Sequence, residues 1–219
     1  MRIASGLSSA VIVGAAPLTS RTLLQRLKRS LRRADVLKVA IDGGLAIFEQ
    51  LGVKPDLYVG DLDSVRRVDE DLPAVFLPHE KTYSDLKATL EICAEMGVQS
   101  IEAWAVTGGR ADHHWASLDE MGVFLSASKK RTIEVFGDDG AFLWVTPSTP
   151  LQLKMGRGDL LSIFNWRQAS GVRTQGLAYP VAGGVFQSGS HGLSNYARSS
   201  RVSVSVRRGV ALVIVPSSP

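Results

Sequence analysis

The 219-residue chain is 45% hydrophobic and 21% charged, with a formal net charge of +4. That length suits one large domain or two small ones, the mixing of charged and aliphatic residues excludes a disordered chain, and no apolar run approaches the ~20 residues of a membrane span. The charge is divided sharply: residues 1–139 hold 17 Lys and Arg against 20 Asp and Glu (net −3), residues 140–219 hold 8 against 1 (net +7), and Asp159 is the only carboxylate of the second stretch.

Arg2 ahead of the apolar residues 10–16 faintly imitates a signal peptide, but the run is short and ends at Pro17, so a buried first strand over 10–13 is the expectation. Thr19 or Ser20 caps a helix whose Leu23, Leu24, Leu27 and Leu31 form one face, ending before Asp35. Residues 36–41 read as a strand, followed by Asp42-Gly43-Gly44 and a helix through Phe48 to Leu51. Pro55 breaks the chain before a strand over 57–59, and 74–77 is a fourth. Ser84-Asp85 opens a helix to Met96 that stops at Gly97. A fifth strand covers 101–106, and a further helix runs from Asp112 to about Leu125. Cys93 sits on the apolar side of its helix as buried filler. With one cysteine no intrachain disulfide forms, which favours a cytoplasmic location.

Strands alternating with helices imply a Rossmann-like parallel sheet covered on both faces. Beyond Thr132 the pattern changes to short strand-like runs at 132–136, 142–145, 151–155, 160–164, 184–187, 202–206 and 211–215, separated by Gly and Ser. Such spacing predicts an all-β sandwich or barrel, with basic residues such as Arg201 on its solvated face. The expected division is an α/β domain over 1–139 and a β domain over 140–219.

Four segments follow strand ends, where open α/β sheets bind ligands: Asp42-Gly43-Gly44, Gly60-Asp61-Leu62-Asp63-Ser64, Glu80-Lys81-Thr82-Tyr83-Ser84-Asp85 and Thr107-Gly108-Gly109-Arg110-Ala111-Asp112-His113. Asp61 and Asp63, two residues apart, either form an ordinary turn or flank a hard ion such as Mg²⁺; Asp42 and Asp85 at equivalent strand ends favour the ion. The Gly108-Gly109 turn permits close backbone approach to a phosphate, which Arg110 can grip. Lys81 is either a second phosphate contact or a solvated lysine, and Asp112 either a site residue or a first-turn acid. Neither a P-loop nor a Gly-x-Gly-x-x-Gly fingerprint is present. His79, His113, His114 and His191 lack zinc-ligand spacing.

In order and spacing these segments resemble the thiamine pyrophosphokinase family. Pro55-Asp56 precedes the acidic turn as in that family, Glu80–Asp85 resembles its Glu-Lys-Asp-x-Thr-Asp block, and residues 108–113 match Gly-Gly-Arg-x-Asp-His. Gly176-Leu177-Ala178-Tyr179-Pro180 and Gly192-Leu193-Ser194-Asn195 match its C-terminal motifs. The resemblance implies a homodimer that transfers pyrophosphate from ATP to the hydroxyl of thiamine. It further implies that Asp42, Asp61, Asp63 and Asp85 hold Mg²⁺, with Asp61, Asp63, Asp85 and Asp112 as the catalytic set. Lys81, Gly108, Gly109, Arg110 and His113 would contact the nucleotide phosphates, and Gly192, Ser194 and Asn195 the aminopyrimidine ring.

Departures stand at Thr82 and Tyr83, where the family carries acids, at Ser84 for Thr, at Ser117 for Asn and at Tyr196 for Glu. They motivate two alternatives: a diphosphokinase for another hydroxymethyl heterocycle such as a pterin, and a catalytically weak thiamine- or nucleotide-binding protein. Lys28, Arg29, Arg32 and Arg33 are read as a solvated helix face rather than a nucleic-acid contact, and no membrane partner is expected.

Overall fold

The computed structural model describes residues 6–64, 67–127, 130–184 and 186–217. The chain forms two compact units. One comprises residues 1–121 with 135–138, the other residues 122–134 with 139–219.

In the first unit, strands β1 (Ser9–Val13), β2 (Val36–Ile41), β3 (Leu57–Gly60), β4 (Ala74–Phe76) and β5 (Ser100–Trp104) alternate with helices α1 (Arg21–Leu31), α2 (Leu45–Leu51) and α3 (Asp85–Glu95). Helix α4 (Ala111–Ser126) follows β5. The strands lie in the order β5-β1-β2-β3-β4, and every pairing among them is parallel. Because a parallel sheet is covered on both faces, its central strands are continuous apolar runs rather than alternating ones: Ala10, Val11, Ile12 and Val13 are all buried, as are Leu57, Tyr58 and Val59. Strand β6 (Thr132–Gly137) lies beside β5.

The helix signals act as their chemistry predicts. Ser20 caps α1, its hydroxyl accepting from the Leu23 amide at 3.4 Å, and Leu27 and Leu31 are fully buried. Lys28 and Arg29 in the last turn suit the negative end of the helix dipole. Arg33 pairs with Asp35 and Glu102, and Arg26 stacks on Phe136 at 3.9 Å, so part of this basic stretch serves the fold. Cys93 is fully buried, and burial pushes its thiol up to about 12. The fifth strand is shorter than the apolar run 101–106 suggests. It ends at Trp104 because Ala105 turns into the left-handed region at φ 52°, redirecting the chain toward the glycine turn.

The second unit contains two antiparallel sheets. One has the order β11-β9-β13-β7, from β11 (Gly192–Tyr196), β9 (Leu160–Ser170), β13 (Arg208–Pro216) and β7 (Gly140–Val145); the other has the order β10-β12-β8, from β10 (Arg173–Gln175), β12 (Arg201–Ser205) and β8 (Leu151–Lys154). Leu161, Ile163, Ala211 and Val213 of the first sheet and Val202 and Val204 of the second belong to one apolar cluster. Arg201 is exposed beside buried Val202, as the alternation predicts.

Two strands escape the sequence pattern. β10 is polar, and β11 begins with glycine and carries a register shift. The strand expected over 184–187 does not form at the described residues Gly184, Phe186 and Gln187, while Val185 lies outside them. There the backbone bonds to side chains instead of to a neighbouring strand. The Phe186 carbonyl accepts from Asn165 Nδ2 at 2.8 Å and the Gln187 amide donates to His191 Nδ1 at 3.1 Å. Phe186 is buried by packing alone, stacked on His191.

Candidate functional site

The carboxyl ends of β2, β3 and β4 deliver the acidic residues. Asp42 opens a short 3-10 turn directly after β2, Asp61 follows β3, and Asp85 is the first residue of α3. One oxygen from each of the three carboxylates lies within 4.8 Å of the others. Such a group is held against its own repulsion only if cations or protons intervene. The protein supplies one cation: Lys81 Nζ lies 2.5 Å from Asp61 Oδ2 and 3.0 Å from Asp85 Oδ1, with only 9% of its side chain exposed. The bond to Lys81 holds Asp61 below the ordinary carboxylate range, whereas burial pushes Asp85 up despite the same ammonium. Asp85 Oδ1 is completely buried and, although it touches Lys81, accepts no well-aligned hydrogen bond.

The backbone is strained here. Asp42 and Leu62 adopt positive φ angles of 43° and 67°, conformations that cost of order 1 kcal/mol or more each for residues other than glycine. The glycine of the acidic turn has a steric reason. A Cβ at Gly60 would stand 2.7 Å from the Tyr58 hydroxyl and 3.0 Å from Asp42 Cα, and that hydroxyl donates to Asp42 Oδ1 at 3.1 Å. Gly60 thus leaves room for a buried tyrosine to orient the first carboxylate. Asp63 stands outside the carboxylate group. Its exposed side chain accepts from Ser64 Oγ at 2.7 Å, and its amide donates to Asp61 Oδ1 at 3.3 Å.

The turn after β5 is a separate cluster. Gly108 and Gly109 have φ angles of 90° and 67°, and open space surrounds the Gly108 Cα. Arg110 forms a two-bond pair with Asp112 at 2.6 and 3.1 Å, and this pairing lowers the Asp112 carboxyl to about 2. His113 is exposed; it is His114 whose Nδ1 accepts from the Gly108 amide, at 3.0 Å.

In the second unit Gly192 and Asn195 are buried and Ser194 is exposed at φ 54°. The Asn195 amide is used within the fold. Its Oδ1 accepts from the Tyr179 amide at 3.1 Å and its Nδ2 donates to the Tyr179 carbonyl at 2.7 Å, fixing the 176–180 segment beside β11. Tyr179 and Tyr196 meet edge to face, with centroids 5.8 Å apart.

Three functional-site residues carry no motif of their own. Tyr58 is hidden in an apolar strand run. His114 is overshadowed by His113, whose position matches the family motif. Glu120, midway along α4, accepts from Ser84 Oγ at 2.5 Å and so braces the cap of α3. A helical wheel places Glu120 seven residues after His113, on the same face, but nothing in the sequence links it to Ser84.

Fold and site together define a mixed α/β protein with an acidic cluster at the carboxyl edge of a parallel sheet. Residues 28–137 match the family described as thiamin pyrophosphokinase, catalytic domain. A curated thiamine pyrophosphokinase of Bacillus subtilis (strain 168) is 32% identical over 83 residues, a stretch covering 35% of this chain and 39% of that relative's length. The fold is similar to the crystal structures of thiamine pyrophosphokinase from Bacillus subtilis (TM-score 0.79, 19% identity, 96% of this chain and 100% of that one) and of thiamin pyrophosphokinase from Geobacillus thermodenitrificans (TM-score 0.76, 22% identity, 96% and 98%). It is also similar to yeast thiamin pyrophosphokinase, at TM-score 0.70 and 13% identity over 97% and 87%. The chain belongs to the thiamin pyrophosphokinase family.

Proposed function

We propose that this protein transfers the pyrophosphoryl group of ATP to the hydroxyl of thiamine, giving thiamine diphosphate and AMP. The observation that carries this reading is the convergence of Asp42, Asp61 and Asp85 around Lys81, within a chain of this family. Three hard oxygen donors, one of them a buried oxygen without a hydrogen bond, fit Mg²⁺. When bound there, Mg²⁺ supplies charge neutralisation for the triphosphate. Asp63, outside the trio, serves through its backbone, which holds Asp61.

In the transfer, the thiamine hydroxyl oxygen forms a bond to the β-phosphorus and releases its proton to solvent, while the oxygen between the α- and β-phosphorus leaves on AMP. Reactions of this type depend on alignment and charge neutralisation more than on a strong base. Asp112 suits that requirement: with its carboxyl held near 2 by Arg110, it is a weak base and a fixed negative charge for orienting the cationic acceptor. The Gly109 amide and the guanidinium of Arg110 face the nucleotide phosphates in this reading, with the Gly108 amide tied to His114 Nδ1 and His113 at the rim. The first unit, Rossmann-like in this reading, handles nucleotide and metal. The second binds thiamine through Ser194 and the Gly192 backbone, with Asn195 holding the Tyr179 segment in place. Among the described residues no helix is long and apolar enough to cross a membrane; a cytoplasmic site of action is proposed from the single cysteine, which forms no intrachain disulfide.

Purified protein with ATP, Mg²⁺ and thiamine is expected to release AMP and thiamine diphosphate in equal amounts. Asp61→Asn should reduce turnover at least 100-fold, an order-of-magnitude expectation for a lost electrostatic contact, without loss of the folded state. Absence of both products from folded wild-type protein would overturn the assignment. Tyr196, uncharged where the family resemblance implies Glu, favours one alternative: a pterin-type hydroxymethyl acceptor, distinguished by competing it with thiamine in the same assay.

A further inference from the structure

We propose that Lys81 is a resident counter-cation, holding the place between Asp61 and Asp85 until a divalent cation takes their oxygens and releases the ammonium to the nucleotide phosphates. This rests on reading the trio as the metal site.

Lys81 is not a solvated surface lysine, since only 9% of its side chain is exposed. Its ammonium stands 2.5 Å from Asp61 Oδ2 and 3.0 Å from Asp85 Oδ1, two of the three carboxylates that converge. A Mg²⁺ ion binds oxygen at about 2.1 Å and demands strict geometry, so an ion held by these carboxylates claims the space and the lone pairs that the ammonium uses. Two cations cannot share that position in a half-dry site, and the covalently attached one must swing aside. The four-carbon stem of lysine allows it.

Where it swings is set by what surrounds it. Among the described residues Lys81 forms ion pairs with Asp61 and Asp85 alone. Thr82 and Tyr83, next in the chain, offer no carboxylate, and the preceding Glu80 is exposed. His79, 4.0 Å from Asp61, carries no negative charge to receive a displaced ammonium. The remaining acceptor is an anion brought by the ligand. The exchange therefore couples metal loading to phosphate recognition: the metal-free protein keeps its acids paired, and the metal-loaded one presents a free ammonium.

The test uses Lys81→Met, which keeps the stem and removes the charge, with Lys81→Gln as a second variant. Calorimetry without nucleotide is expected to show Mg²⁺ binding about tenfold tighter in the variants than in wild type. In saturating Mg²⁺, a non-hydrolysable ATP analogue is expected to bind about tenfold more weakly. A lysine that merely stabilises the loop would shift both affinities the same way. In the wild-type protein, the Lys81 Nζ resonance, protected by its ion pairs, should lose that protection on adding Mg²⁺ alone. Mg²⁺ affinity unchanged or weakened in Lys81→Met but lost in Asp61→Asn would leave the metal site standing and overturn the exchange. Equal Mg²⁺ affinity in wild type, Lys81→Met and Asp61→Asn would overturn the metal site itself, and the exchange with it.

Discussion

Gly60 shows how much a single missing methyl group can carry. Its place in the acidic turn is set by the Tyr58 hydroxyl beneath it and by Asp42 beside it. Gly60→Ala is expected to destabilise the protein by about 1–3 kcal/mol, the usual cost of overpacking, and to weaken Mg²⁺ binding as Asp42 shifts; denaturant unfolding and calorimetry measure the two effects. Asp112 allows a sharper test by pH. Its folded-state carboxyl, held at about 2 by Arg110, lies below the unfolded value, so its contribution to stability is complete above the unfolded value and disappears as pH falls toward 2. Both partners are largely exposed, so solvent screens that contribution and thermal stability should hardly respond. The carboxyl resonance of Asp112 should instead titrate near 2 in wild type and near the ordinary value of about 4 in Arg110→Ala. An unchanged midpoint would mean that the pair does not persist in solution.

Among the elements, α3 matters most to the site because its first residue is Asp85. Ser84 accepts from the Lys87 amide at 3.0 Å and donates to Glu120, so one hydroxyl both starts the helix and ties it to α4. Ser84→Ala is expected to cost about 1 kcal/mol for the cap alone, and more with the Glu120 carboxylate left unpaired; thermal or denaturant unfolding gives the value, and no change would show that the cap is dispensable. This helix was readable in advance, since a Ser-Asp start, an apolar face and a terminal Gly97 are all local signals. So were β1 and β3, whose continuous apolar runs mark a doubly covered sheet, and β2, where Lys38 alone interrupts the run. β10 and β11 were not, because Arg173-Thr174-Gln175 and Gly192–Tyr196 owe their strand form to partners distant in sequence. The strand expected at 184–187 failed for the opposite reason, as Phe186 is buried without any ladder at the described residues. In the site, the acids were legible from their positions at strand ends. Tyr58 and Glu120 were not, since a strand interior and a helix middle give no hint of what they reach.

For the whole molecule, the division of charge coincides with a division between kinds of element. The acidic stretch contains the parallel sheet with its carboxylate trio; the basic stretch contains antiparallel strands most of whose cations are exposed, such as Arg201 opposite Lys154 on neighbouring strands. Three exposed apolar side chains of that second unit, Leu160, Tyr179 and Leu193, lie on or beside β11, the last strand of its sheet. Exposed apolar side chains grouped in this way form a surface that soluble proteins usually bury. We therefore expect self-association, with sedimentation giving twice the 23.6 kDa chain mass. A monomer at micromolar concentration would remove this reading. The left-handed residue Leu62 has a consequence for any attempt to evolve or engineer the protein. At φ 67° and 41% exposed, it is a position where glycine relieves strain without opening a cavity. Selection for heat resistance alone would reach Leu62→Gly early, and would thereby loosen the turn that presents Asp61. Robustness and metal readiness pull in opposite directions at that one peptide unit.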